Sequence, residues 1–397
     1  MPLSGHDHRF HFHFGPNREM TEIYASTAVK AFAVSLVGIF EAIYLFIYFG
    51  HSLPKTLVFF GFATLFFGLF SPLAGRLVAK IGIKHSILLS APILFIYFLG
   101  LWKIEFLGPW FVLFLFFRAA YSAIFWMAFH TDFACFADKG KQGRELSYRQ
   151  IVGLLSGAAS PAISGIIITN FGFSWLFVLV LILLFVSASM MFFTKDTRQP
   201  FPVSSRQIYR NLFKPEFRFK TISFLSEGFE DVALFYLWPL FLFLLGISFS
   251  DLGFITGGTM IVSALFSIYI GRVIDCGRAG RVFKLGALLN FIIWPFKIFV
   301  TTPWTAFLAS TLHSFSRDML YLPLGTLFYQ WSKEGGVDLG TRVVMREVSL
   351  DVARSIALFI LAVIFYFVEP LGIRYYFIVA AFASLGMIFF IKKVKKQ

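Results

Sequence analysis

Long apolar stretches separated by short polar turns run through the whole chain. A membrane-spanning helix needs roughly 20 mainly apolar residues. Twelve stretches qualify: 24–49, 54–74, 86–102, 109–131, 149–169 and 173–193 in the first half, then 220–247, 251–271, 283–301, 304–330, 347–368 and 371–391 in the second. Between the two sets lies a polar stretch, 195–219, with Lys195, Arg198, Arg206, Arg210, Lys214 and Arg218 interrupted by Pro200, Pro202 and Pro215. Within it, Ser204 and Ser205 can cap a short helix with Ile208 and Leu212 on one side, lying along the inner membrane surface; a plain basic tether is the alternative. The pattern predicts an all-α integral membrane protein with twelve transmembrane helices in two pseudo-symmetric six-helix bundles. The divisions are a tail at 1–23, a first bundle at 24–194, a linker at 195–219, a second bundle at 220–391 and a basic tail at 392–397.

One polar turn occurs twice. Gly75, Arg76, Lys80, Gly82 and Lys84 punctuate the connection between the second and third spans. Gly271, Arg272, Asp275 and Arg278 punctuate the one between the eighth and ninth, 196 positions later. Independently, Gly143, Arg149, Gln150 and Ile151, entering the fifth span, match Gly340, Arg346, Glu347 and Val348, entering the eleventh, at an offset of 197. Two landmarks that agree on about half the chain length indicate a duplication. Two parallel halves suit a protein whose bundles rock about a site between them.

Composition agrees with this reading. Hydrophobic residues make up 58% of the chain and charged ones 14%, with mean hydropathy +0.78, against about 25% charged residues in a soluble domain. The 56 phenylalanines read as lipid-facing bulk. A net charge of +14 and a pI near 9.8 would suggest nucleic acid in a soluble protein, but the placement of the charges argues otherwise. With the N-terminus cytoplasmic, all but seven of the 35 Lys and Arg fall in the tails and even-numbered loops. Lys55, Lys103, Lys297 and Arg374 lie toward the outer side, and Lys30, Arg118 and Arg317 fall within spans. That asymmetry predicts a multi-pass protein of the plasma membrane with both ends cytoplasmic. Its charge answers to the bilayer and calls for no nucleic-acid partner. Cys135 and Cys276 fall in connecting loops and suggest neither a disulfide nor a metal site. Met1 to Asn17 has no apolar core of a signal peptide; His6, His8, His11 and His13 read as an interfacial tail, with metal binding as the alternative.

A charge at the bilayer centre costs about 2.5–3.5 kcal/mol on insertion scales, so ionisable residues there mark function. Glu227, Glu230 and Asp231 in the seventh span share one helical face. Glu41 and Arg118 lie at matching depths in the first and fourth spans. Asp231 and Arg317, with Asp318 beside the latter, match in the seventh and tenth. His313 lies one turn before Arg317. In the fifth span Gly153, Gly157, Pro161 and Gly165 recur every four residues as a smooth packing stripe.

Over its whole length the chain resembles the major facilitator superfamily. That family's loop signature is Gly-x-Leu-Ala-Asp-Arg-x-Gly-Arg-Lys; Gly75, Leu77, Lys80, Gly82 and Lys84 fit it, while Ala79 stands where the acid belongs. Arg118 with Tyr121 and Ser122 resembles a worn Arg-x-x-Gln-Gly motif. Ser160-Pro161-Ala162-Ile163-Ser164-Gly165 resembles the drug/proton antiporter motif Gly-Pro-x-x-Gly-Gly with serines at two glycines. The resemblance implies a central cavity lined by the first, fourth, seventh and tenth helices, with one acid–base pair per half facing it and protonation deciding which side opens.

Five acids (Glu41, Glu227, Glu230, Asp231, Asp318) against Arg118 and Arg317 favour a cationic solute. Tyr44, Tyr121, Trp126, Tyr236 and Trp238 add aromatic faces. Sugar sites want amides, yet none of Asn17, Asn170, Asn211 and Asn290 falls mid-cavity and no glutamine lies deep in a span. The expectation is therefore a monomeric secondary transporter, using protons and no cofactor, that exports lipophilic or cationic compounds. Uptake of a sugar or other metabolite, and a transport-inactive sensor or scaffold on the same fold, are the alternatives. H-E-x-x-H, G-x-S-x-G and Walker motifs are absent from the sequence, so an enzyme is not expected.

Overall fold

The structure, a computed structural model, describes residues 18–136, 142–191, 205–332 and 338–392. Among these residues the chain is helical, without strands, and the helices group into twelve rods. In the first half these are α1 (Arg18–Val37, continuing as Phe40–Tyr48), α2 (Leu53–Ile81), α3 (Ile83–Trp102), α4 (Ile104–Leu107 leading through a 3₁₀ turn into Phe114–Phe136), α5 (Gln142–Gly157 and Ala159–Phe171) and α6 (Phe173–Met191). The second half has α7 (Arg218–Val232, a π-helical turn at Ala233–Leu237, then Trp238–Leu244), α8 (Phe249–Val273), α9 (Ala279–Phe296), α10 (Pro303–Ser332), α11 (Leu339–Phe367) and α12 (Pro370–Tyr375, Tyr376–Gly386 and Met387–Ile391). Eight runs are long and apolar enough by themselves to cross a bilayer, one of them joining α8 and α9 across a kink. α6, α7 and α10 fall outside that set: α6 counts as a shorter apolar helix, Phe173–Ser187, and α7 and α10 carry ionisable residues within their length. The histidine-rich start, residues 192–204 of the linker and the last five residues lie outside the described residues.

Neighbour relations repeat from one half to the other. α1 packs on α5 and α6, α2 on α4, and α3 on α4 and α6; six rods later, α7 packs on α11 and α12, α8 on α10, and α9 on α10 and α12. The duplication seen in the sequence is thus a duplication of packing. The two bundles meet mainly through α2 against α11 and α5 against α8. As the rods alternate in direction, the start of α1, the α2–α3 and α8–α9 turns, the start of α7 and the end of α12 share one side, called here the terminal face.

The repeated polar turns are shorter than the sequence suggested. Helix α2 runs on through Gly75, Arg76 and Lys80 to Ile81, and Lys84 already lies in α3. One residue of positive φ is enough to reverse the chain, and Gly82, at φ 93, supplies it at no steric cost. Gly277, at φ 78, does the same in the second half, following Gly271 and Arg272 in α8 and flanked by Asp275 and Arg278. Cys135 is likewise in α4, not in a loop. The linker helix, Ser205–Leu212, packs against α11: Ile208 is fully buried in a cluster with Phe217, Trp331 and Val344, so it is held by protein rather than lying on lipid.

The α5–α8 seam brings two backbones into contact. A Cβ on Gly165 would overlap the Phe249 carbonyl, one on Gly253 the Pro161 carbonyl, and one on Gly257 the Ala158 carbonyl. Gly157 nestles against Ser35 of α1 and Met260 of α8, and the Ser35 hydroxyl donates to the Gly157 carbonyl at 3.1 Å. Gly153 faces open space and takes no part. Small residues at such a seam allow the dispersion contact that holds helices together where lipid removes the hydrophobic driving force. Gly165→Val and Gly253→Val should each lower the thermal unfolding temperature of detergent-purified protein by several degrees, through about 1–3 kcal/mol of overpacking. Gly153→Val should leave it unchanged. A neutral Gly165→Val would show that the two rods are not in backbone contact.

Candidate functional site

In the first bundle, Glu41 and Arg118 form an ion pair between described residues. Glu41 opens the second segment of α1, and its carboxylate accepts from Tyr97 Oη at 2.5 Å and from Arg118 Nε at 2.7 Å, joining α1, α3 and α4. The Arg118 guanidinium lies 5.2 Å from the centre of the Phe60 ring, which itself packs at 4.7 Å on Tyr236 of α7. The pair therefore sits against the second bundle. Toward the terminal face on the same rod, the buried Lys30 ammonium rests 3.9 Å over Phe125 and 5.1 Å over Tyr121, and donates to Ser90 Oγ at 3.3 Å. Aromatic faces hold that cation where carboxylates might have.

In the second bundle, the three acids of α7 are all buried, but their carboxylates part company. Glu227 binds Arg346 of α11. Glu230 turns into the bundle, accepting from Asn290 Nδ2 at 3.3 Å, Trp294 Nε1 at 3.2 Å and Tyr321 Oη at 2.7 Å, with His313 Nε2 at 3.3 Å. Asp231 accepts from Arg354 Nη2 at 2.5 Å and Nε at 3.2 Å, while Arg317 stands at 3.9 Å. Its main partner is therefore Arg354, which also binds Asp351 at 2.8 Å. Depth along a rod correctly set Glu41 beside Arg118. It could not rank Arg354 against Arg317, because the choice depends on rotation about the helix axis.

Two contacts join the halves near the terminal face. Asp318 does not accompany Arg317. It turns to the junction of α5, α8 and α10, where it accepts from Gln150 Nε2 at 2.7 Å, Ser263 Oγ at 2.7 Å and Ser267 Oγ at 3.1 Å. Among the described residues, it and Glu230, whose partner is the His313 imidazole, are the buried acids of the rods with no Lys or Arg within 4.0 Å. His130 of α4 places Nδ1 2.7 Å from Tyr329 Oη on α10, and Nε2 3.2 Å from Arg346 Nη1 and 3.5 Å from Glu347 on α11. Trp126 stacks on that imidazole at 5.6 Å. The opposite face closes differently, with rings: Phe46 on Phe243 at 6.2 Å and Phe40 on Phe249 at 6.3 Å.

Several expected residues sit elsewhere. Tyr44 is packed inside the first bundle between Phe173 and Phe177, with its hydroxyl on the Leu101 carbonyl. Trp238 is inside the second bundle, its Nε1 donating to Ser310 Oγ at 3.3 Å and its ring 4.2 Å from the Lys297 ammonium. Lys297, assigned to the outer side, is fully buried between Trp238 and Trp294. Asn290 lies in the Glu230 cluster and Gln150 reaches Asp318, so amides are present after all. Arg354 and Asp351 are inside α11 rather than in a loop. Adding Glu347 and Asp351 to the five acids, and Lys30, Lys297, Arg342, Arg346 and Arg354 to the two arginines, gives seven against seven among the described residues. The excess of acid that favoured a cation is gone. Arg354→Met, which strands Asp231 and Asp351, should cost about 3–5 kcal/mol of stability, read as a large fall in unfolding temperature. Arg317→Met should cost far less, and equal losses would mean that Arg317 is the true partner.

Residues 23–244 match the family model for the Major Facilitator Superfamily. The fold is similar to that of the E. coli fucose:proton symporter FucP, with a TM-score of 0.65 at 14% identity, covering 93% of this chain and 97% of that one. It is similar to the human organic anion transporter MFSD10, at 0.69 and 12% over 94% and 99%, and to a D-xylose-proton symporter, at 0.69 and 14% over 95% and 98%. None of the curated proteins matches the chain in sequence. With more than half its length matched and twelve rods in two like bundles, the chain belongs to the major facilitator superfamily.

Proposed function

We propose that this transporter moves a small polar solute across the plasma membrane by alternating access and couples that movement to protons. The observation that carries the reading is Asp318, held by three neutral donors from α5 and α8. Charged, its carboxylate accepts all three bonds and ties the first bundle to the second. Protonated, it becomes a donor with weaker acceptor oxygens, and the junction loosens. His130 acts in the same sense. Neutral, it bridges Tyr329 and Arg346; protonated, it meets the Arg346 guanidinium with like charge, offset in part by Glu347. The Phe46–Phe243 and Phe40–Phe249 pairs of the opposite face are not themselves titratable, although His51 packs edge-on against Phe46 at 5.4 Å, and the titratable contacts between the bundles lie toward the terminal face.

The Lys and Arg distribution supports a cytoplasmic terminal face. The near balance of buried charge suits an uncharged or zwitterionic solute. Two of the fold's relatives are named as sugar:proton symporters. Export of lipophilic cations in exchange for protons is a second reading, favoured by Tyr236 and by the half-exposed Trp126 beside the contacts that join the bundles. The Glu41–Arg118 and Asp231–Arg354 pairs, with Glu227, Glu230 and His313 around them, would hold each bundle rigid while it rocks.

In proteoliposomes, Asp318→Asn should abolish solute-dependent proton flux, by tenfold or more, and leave solute exchange intact. Thermal unfolding of the variant serves as the folding control. Undiminished proton flux in a folded Asp318→Asn protein would remove this acid from the coupling.

A further inference from the structure

Away from the junction of the bundles, a cavity of about 820 Å³ opens on the outer surface of the first bundle, between the last turn of α2, α3 and α6. Its wall is apolar, with Leu88, Pro92, Phe95 and Ile96 from α3 and Leu184 and Phe185 from α6. Its two ionisable lining residues, Lys80 and His85, both sit at the terminal-face rim and both are exposed. From His85 to Ile96 the rod rises roughly 16 Å at 1.5 Å per residue, close to half of the ~30 Å hydrocarbon core. The groove therefore reaches from the headgroup level to mid-bilayer, the depth of one leaflet.

We infer that this groove seats one phospholipid with an anionic headgroup, its acyl chain along the α3–α6 wall and its phosphate against Lys80 and His85. Charge complementarity decides the headgroup. Arg76 lies one turn before Lys80 on α2, both are exposed, and the residue beside Lys80 is the neutral Ala79. A basic rim above an apolar trough one leaflet deep fits a lipid better than a soluble anion, which would leave the wall uncovered. The site is separate from the proton-coupled junction and stands or falls without it.

Native mass spectrometry of detergent-purified, delipidated protein, titrated with dioleoyl phosphatidylglycerol or dioleoyl phosphatidylcholine, tests the assignment. Phosphatidylglycerol should bind about tenfold or more tightly. The Lys80→Gln, His85→Gln double variant should lose that preference, on the order of fivefold for the Lys80 charge alone. Leu88→Trp, which fills the trough, should weaken both lipids with the rim unchanged. Equal affinity for the two lipids in the wild type, or a preference surviving in the double variant, would overturn the proposal. So would full competition by inorganic phosphate at matched concentration, since it would mean an anion site with no acyl component.

Discussion

Hydrocarbon does not solvate charge, and the rest of this structure depends on that. Each ionisable group carried into the membrane by α1, α4, α7, α10 or α11 has to find its partner within the protein. Three adjacent acids on α7 therefore dictate much of the second bundle: Glu227 calls for Arg346, Asp231 for Arg354, and Glu230 for the amide, indole, imidazole and phenol of Asn290, Trp294, His313 and Tyr321. Among the described residues, the first bundle shows the Glu41–Arg118 pair with a phenol beside it and Lys30 held on aromatic faces. The halves share a packing plan and differ in how densely they are charged.

The two ends of the junction between the bundles are chemically unlike. Toward the terminal face it has titratable contacts, Asp318 with Gln150 and His130 with Tyr329 and Arg346; toward the opposite face it is phenylalanine on phenylalanine with a hydroxyl pair, Thr169 and Ser250 at 3.1 Å. Polar contacts between titratable groups change with protonation, and ring contacts do not. The glycine seam of α5 and α8 lies alongside and gives the bundles a smooth surface on which to shift. A proton can then bias one end of a two-state device without disturbing the other.

How much of this could be read from the sequence depends on which property carries it. Span positions and the duplication follow from hydropathy and spacing along the chain, so the bundles were legible. The Glu41–Arg118 pair was also legible, because matched depth on adjacent rods was enough. The partner of Asp231 was not: Arg354 and Arg317 are both within reach in depth, and helix rotation makes the choice. Asp318 shows the same limit, since its neighbour in sequence, Arg317, points elsewhere and its true donors come from α5 and α8. The burial of Lys297 was not legible, because a lysine near the end of a span reads as interfacial until two tryptophans are found around it. The turn at Gly82 was drawn too wide because glycines and basic residues mark its surroundings, whereas a single positive-φ residue makes it.

The central claim is that the terminal-face junction yields to protons while the opposite face stays shut. With Cys135 and Cys276 replaced by serine, spin labels at positions 76 and 281 would report the separation of the bundles by pulsed dipolar spectroscopy in nanodiscs. A short, single distance distribution at pH 8 that gives way to a longer one at pH 5 is the result expected. Distributions that coincide at the two pH values would contradict the account.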